Sequence, residues 1–193
     1  MALYPDYPIC TSRLRLRPFT RGDLDSVFAY RGREDVARYL FDTALSRDEC
    51  ALAIQQRTTQ ISLGGEGDRL ILAVERADTG ALAGEISLIW RSVEARQGEL
   101  GWIFHPDHQG QGFAHEAATV LMDLAFGAAD LHRLYARCDA GNIPSWRLME
   151  RLGMRREAHF REHGLFRGQW DEEFYYAILR REWLTSRDPS SSR

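Results

Sequence analysis

Cysteine is scarce in this chain: Cys10, Cys50 and Cys138 are odd in number and far apart. They form no CxxC pair and no zinc-ligand spacing. That excludes a disulfide-stapled scaffold and points to a reducing, cytoplasmic setting. No apolar run approaches the roughly 20 residues that span a bilayer, so no membrane role is expected. The opening MALYPDYPIC has neither a basic n-region nor an apolar h-region, so it does not read as a secretory signal. Internal repeats are absent, as are linkers rich in Pro, Gly or Ser. Net charge is only −3, which excludes a global attraction to nucleic acid or to anionic lipid. What remains is an ordinary globular composition over 193 residues, 44% hydrophobic and 27% charged. A chain of this length buries roughly 70% of its unfolded surface and needs no staple. It reads as a single domain over residues 1–185, with 186–193 as a flexible tail.

Changes of hydrophobic period mark the elements. Leu14 and Leu16 alternate with Arg13, Arg15 and Arg17, a half-buried strand whose arginines read as a solvated face. Thr20 and Asp23 form an N-cap pattern for a first helix. Ser46 and Glu49 form a capping box for a second, running to about Ile61. Residues 69–76 and 82–90 are strands joined at Asp78-Thr79-Gly80 as a hairpin. Residues 99–104 form a third strand, ended by Pro106. Residues 113–127 carry an amphipathic stripe, 133–139 a strand, and 144–152 a short helix stopped by Gly153. The aromatic stretch to about Trp183 reads as two closing strands. This order predicts an α/β fold with a mixed sheet and helices on both faces.

The chemistry concentrates in ELGWIFHPDHQGQGFAHE, residues 99–116. A strand ends at Pro106, a glycine-rich turn follows, and a helix begins near Phe113. Such a turn presents unpaired N–H groups and the positive end of a helix dipole. Gly110 and Gly112 remove side chains that would hold an anion away, which makes the turn a diphosphate cradle. It is not a Walker loop, because Phe113 and Ala114 follow the last glycine instead of Lys and Ser/Thr. It is not a dinucleotide fingerprint, because His115 occupies the last glycine position. Gln109-x-x-Gly112-x-Ala114 instead resembles the Q/R-x-x-G-x-G/A signature of the GNAT acetyltransferase superfamily. A second block, Asn142-Ile-Pro-Ser145 through Leu152-Gly153-Met154, resembles the N-x-x-S/A…L-G-F/M block of that superfamily. The likeness extends from Arg13 to Trp183 and is greatest to the ribosomal-protein N-terminal acetyltransferase branch.

The resemblance implies a mostly antiparallel sheet of about seven strands, splayed at the centre between two parallel strands. It implies acetyl-CoA as cosubstrate and direct attack of a primary amine, on a peptide N-terminus or a small molecule, upon the thioester. The coenzyme would lie against Trp102, Ile103, Phe104, Gln109, Gly110, Gln111, Gly112, Phe113, Ala114, Asn142 and Ser145. Glu99 and Glu162 are the candidate bases. Ser145 is the candidate partner for the leaving thiolate, since the family's usual Tyr position is Met149 here. Residues 30–45 correspond to the acceptor side and hold Arg31, Arg33, Tyr39 and Phe41. A homodimer is also implied. A non-catalytic acyl-CoA sensor is the alternative, supported by Met149, and a nucleotide-binding α/β domain is a further one. No metal is expected: the clustered His105, His108 and His115 lack His-Glu-x-x-His spacing. No G-x-S-x-G elbow supports a serine hydrolase.

Overall fold

The computed structural model describes residues 3–40 and 42–187. Among them eight strands form one sheet: β1 (Ile9–Cys10), β2 (Leu14–Arg17), β3 (Arg69–Arg76), β4 (Leu82–Ser92), β5 (Gln97–Phe104), β6 (Arg133–Asp139), β7 (Arg155–Phe166) and β8 (Gln169–Leu179). Their spatial order is β1-β2-β3-β4-β5-β6-β8-β7. Every neighbouring pair is antiparallel except β5 and β6, which run parallel. The helices are α1 (Leu24–Arg31), α2 (Glu34–Ala37), α3 (Arg47–Arg57), α4 (Phe113–Phe126), α5 (Ile143–Arg151) and α6 (Arg180–Ser186). None of them is long and apolar enough to cross a membrane.

Two cores, one on each face, follow from strand alternation. On one face Leu72, Ile86, Leu88, Leu100 and Leu134 pack under α4 and α5. Helix α4 supplies Ala117, Ala118, Leu121, Met122 and Ala125, all fully buried, at the spacing that keeps one stripe on the sheet. On the other face Ala73, Leu82 and Ile103 meet Val27, Tyr30, Cys50 and Ile54 of α1 and α3. Helix α3 starts at a capping box. The Ser46 amide donates to the Glu49 carboxylate at 2.7 Å, and the Glu49 amide donates back to the Ser46 hydroxyl at 3.3 Å.

Two boundary expectations need correction. The helix after Ser46 stops at Arg57, and Ile61 bridges to Leu70 instead. The last strand ends at Leu179, where the Glu182 carboxylate accepts from the Leu179 amide at 2.8 Å and starts α6. Trp183 then docks its ring beside Phe126 and donates from Nε1 to Asp123 at 3.0 Å. A buried tryptophan on a short docked helix gives the same sequence signal as one on a strand. The eighth strand is the two-residue β1, too short to leave a period. Of the proposed tail, Ser186 is still helical, and residues 188–193 lie outside the described residues, as does Phe41.

All 25 basic side chains are arginine. Their planar forks suit the many close carboxylate pairs of the surface and of the second core.

Candidate active site

The parallel strands β5 and β6 pair only from Gln97↔Arg133 to Glu99↔Tyr135. Past that point they diverge, and a gap opens in the middle of the sheet. The His105 amide donates to the Ala83 carbonyl of β4 at 2.9 Å. By alternation the amides of Trp102 and Phe104 point the opposite way, into the gap. The Phe104 carbonyl also faces the gap, where it accepts from Gln109 Nε2 at 3.0 Å.

The turn between β5 and α4 is shaped by two glycines in the left-handed region, Gly110 at φ 71° and Gly112 at φ 82°. Among the described residues no group accepts from the backbone amides of residues 110–115. Six consecutive N–H groups therefore surround the positive end of α4, an arrangement that fits a diphosphate. Arg13 holds this turn from beneath. Its Nη1 donates to the Gln111 carbonyl at 2.9 Å, its Nε to Glu116 at 2.7 Å, and its guanidinium lies 5.0 Å from the Phe113 ring centre. The solvated-face reading of the first strand is thus wrong at Arg13. It is also wrong at Arg17, which pairs Asp23 at 2.8 Å and Glu75 at 2.7 Å. Both arginines have partners far away in sequence or in the next turn, invisible to a local pattern.

Two cavities meet at the gap. The first, of about 730 Å³, runs from the glycine turn along Trp102, Ile103 and Phe104 to Asn142 and Ser145 on α5. Of the expected coenzyme residues only Gln111 lies outside it, its side chain donating to the Asp107 carbonyl at 2.8 Å. Asn142 caps α5, its Oδ1 accepting from the Ser145 amide at 3.3 Å. The second cavity, of about 510 Å³, opens on the opposite face of the sheet. Glu85, Ser87, Glu99 and Gly101 form its floor, and Arg137, Glu173, His163 and Asp171 its wall. The two cavities share Tyr39, Leu40, Trp102, Ile103, Asn142 and Ser145. A ligand in the first can therefore reach through the gap to one in the second.

The expected bases separate. Glu99 lies in the second cavity but is heavily engaged, by Arg91 at 2.6 Å, the Tyr135 hydroxyl at 2.9 Å and Arg137 at 3.4 Å. Burial, then Glu99's hydrogen bond and charge, push the Tyr135 phenol up to about 12. Glu162 sits at a bulge of β7 with φ 51°, exposed, and lines neither cavity. Ser145 lines both cavities, as Cys138 lines the second. Burial pushes the Cys138 thiol up to about 11 against the opposing effect of the Ser145 hydroxyl. Met149 is 1% exposed and also lines the second cavity. Beneath the floor Glu85 is held by Tyr30 at 2.8 Å and Arg57 at 2.9 Å. Burial, followed by the Glu85 charge, raises the Tyr30 phenol well above its ordinary range. Arg31 stands at this end of the fold with Asp42 at 3.8 Å, and Arg33 pairs Asp35 on the surface at 2.8 Å. Arg137, His163 and Glu173 carry no distinguishing motif; the antiparallel pairing of β8 with β6, with Asp139↔Glu173, brings Arg137 and Glu173 together, and the bulge of β7 adds His163.

Among the described residues no three His, Cys, Asp or Glu side chains are grouped to hold a metal ion.

Residues 13–155 match the model of the acetyltransferase (GNAT) domain. The uncharacterized N-acetyltransferase YnaD of Bacillus subtilis is 31% identical over 91% of this chain and 98% of its own. A GNAT-family acetyltransferase structure from Bacillus anthracis superposes with TM-score 0.80 at 29% identity, over 90% of this chain and 98% of that one. The spermidine N-acetyltransferase of Vibrio cholerae, solved with CoA and spermine, superposes with TM-score 0.76 at 26% identity, over 90% and 99%.

Proposed function

The chain belongs to the GNAT acetyltransferase family, and from that premise we propose that it acetylates a primary amine seated in the second cavity. It is an N-acetyltransferase with acetyl-CoA as its cosubstrate. The observation that carries the acceptor reading is the junction of the two cavities at Trp102, Ile103, Asn142 and Ser145. A thioester aligned in the first cavity ends where the second begins.

Acetyl-CoA supplies an acetyl group activated as a thioester. The chain's residues do the rest. Amides of the glycine turn and the α4 dipole hold negative charge at one end of the groove. The outward amides of Trp102 and Phe104 bind a carbonyl running along the gap, as an added strand would. One such amide steadies the oxygen that gains charge during attack. The Ser145 hydroxyl donates toward departing sulfur, in the place where Met149 offers no proton. Trp102 and Ile103 exclude water on either side.

The acceptor is a small amine or a peptide N-terminus. Four carboxylates line the second cavity: Glu85, Glu99, Asp171 and Glu173. Arg57, Arg91 and Arg137 answer most of their charge. The balance left favours an amine carrying a single ammonium near its reacting end over one needing several free carboxylates. A homodimer in the cytoplasm completes the reading. The exposed Phe160, Leu165 and Trp170 of the β7–β8 arm support self-association, and light scattering tests it.

The decisive experiment follows thiol release from acetyl-CoA with spermidine, a monoamine and a peptide bearing N-terminal serine. Amine-dependent release with acetylated product is expected. Tight coenzyme binding without amine-dependent release would overturn the enzymatic reading in favour of a non-catalytic sensor.

A further inference from the structure

We propose that Glu173 is the carboxylate that receives the acceptor's ammonium and takes its proton, and that His163 passes this proton to solvent. The inference rests on the acetyltransferase reading and assigns the acceptor side of that site.

Three carboxylates on this face of the sheet are shielded from water, and their remaining capacity differs. Glu85 is saturated by donors at 2.8–2.9 Å from Tyr30 and Arg57. Glu99 has donors at 2.6 and 2.7 Å from Arg91 and at 2.9 Å from Tyr135. Glu173 is as buried as either, with its side chain 4% exposed, yet its nearest donors are Arg137 Nη1 at 3.3 Å and His163 Nδ1 at 3.4 Å. Among the described residues no hydrogen bond reaches its Oε2, which has only the longer contact to His163 Nδ1. Buried carboxylate oxygens are ordinarily saturated, because leaving one bare costs free energy. Here the bare oxygen belongs to a cavity-lining residue. A protonated amine supplies the missing donors.

His163 gives the proton a way out. Its side chain is 47% exposed while Glu173 is 4% exposed, so the pair spans from the cavity wall to water. The groups around them are few. Arg137 of β6 contacts the far oxygen of Glu173 and links it to Glu99. Asp171 of β8 is turned to the Gly164 amide. The Phe160 ring lies 5.1 Å from the imidazole on its own strand. Tyr39 faces the cavity from the opposite side.

The step balances without a further reagent. An N–H bond of the ammonium breaks and its proton passes to Glu173, then through His163 to water. The freed lone pair attacks the thioester carbonyl, and the C–S bond breaks as the amide C–N bond forms. The second nitrogen proton neutralises the departing thiolate, leaving amide, free thiol and one proton in solution.

The test measures kcat/KM for spermidine and for the N-terminal serine peptide from pH 6 to 10 in wild type, Glu173→Gln and His163→Gln. CoA affinity by calorimetry checks that each variant is folded. We expect Glu173→Gln to lose about 100-fold near neutrality, the scale of a positioned base. The loss should shrink as pH approaches the amine's own pKa, about 10.4 for an alkylamine. His163→Gln should lose about tenfold. Wild-type rate and pH profile in Glu173→Gln would overturn the assignment while leaving acetyl transfer intact. If Glu173→Gln fails to bind CoA, His163→Gln decides, and a wild-type profile there overturns it. If wild type turns over neither amine, the acceptor reading of the second cavity falls, and this assignment with it.

Discussion

Replacing Arg13 by alanine tests whether the diphosphate turn is held in shape before ligand arrives. The side chain contributes a two-nitrogen contact to Glu116, with Nε and Nη2 each at 2.7 Å. It also donates to the Gln111 carbonyl at 2.9 Å and stacks on Phe113. The arginine side chain is 48% exposed, so its ion pair is screened and worth at most about 1 kcal/mol. The bond to the carbonyl adds about 1 kcal/mol, and the ring contact about 0.5 kcal/mol. Part of this persists in the variant, because Glu116 keeps Thr11 and the residue-13 amide. We therefore expect about 1.4 kcal/mol to appear as added ordering cost on binding, a tenfold rise in the CoA Kd. Arg13→Lys should recover less than half, since a point charge cannot span both partners. Isothermal titration with CoA reads the effect. The acceptor KM at saturating acetyl-CoA should stay within about twofold, which is about 0.4 kcal/mol. An unchanged Kd, or an effect confined to the acceptor KM, would refute a preformed turn held by Arg13.

Five further outcomes are expected. Gly112→Ala should destabilise the turn by about 1–2 kcal/mol, because φ is 82° and the new methyl would sit 3.3 Å from Arg13 Nη2. Gly65→Ala, with no atom within 4 Å, should leave CoA binding unchanged. Acid should unfold the protein through Asp23 and Glu116. Burial raises both carboxyls, but Arg17 and Thr20 outweigh it for Asp23, and Thr11 and Arg13 for Glu116, so both end below their ordinary range. Their stabilisation is present above about pH 4 and lost as pH falls through the lowered values; urea midpoints at pH 7, 5 and 3 should be flat and then fall. Ser145→Ala should lower kcat about tenfold and slow alkylation of Cys138 at pH 9, since the hydroxyl's lowering effect on the thiol is lost. Tyr30→Phe should cost about 1.5–3 kcal/mol in chemical denaturation by removing a buried donor to the Glu85 carboxylate.

Local pattern carried much of the fold. The strand from Arg69 to Arg76 and the one from Arg133 to Asp139 lie where their periods placed them. So does the helix from Phe113. The glycine turn was legible because its chemistry is backbone chemistry, encoded by consecutive residues. The acceptor wall was not. Arg137 and Glu99 are 38 positions apart, and Glu173 reaches the cavity only because β8 pairs antiparallel with β6. No single segment holds that information. Helix α6 had a usable signal in Glu182, three residues after Leu179, but the aromatic alternation before it masked the change of period. Arg13 looked solvated for the same reason as the acceptor wall: its partners are about 100 residues away.

The short parallel junction of β5 and β6 makes the sheet two stiff plates on a narrow hinge. One plate carries Trp102 and the glycine turn; the other carries Arg137, Glu173 and the root of α5. Whatever lies between them acts as a wedge that sets their spacing. Arg137 ties Glu173 on one plate to Glu99 on the other, so the amine side of the hinge is clamped while the coenzyme side stays open.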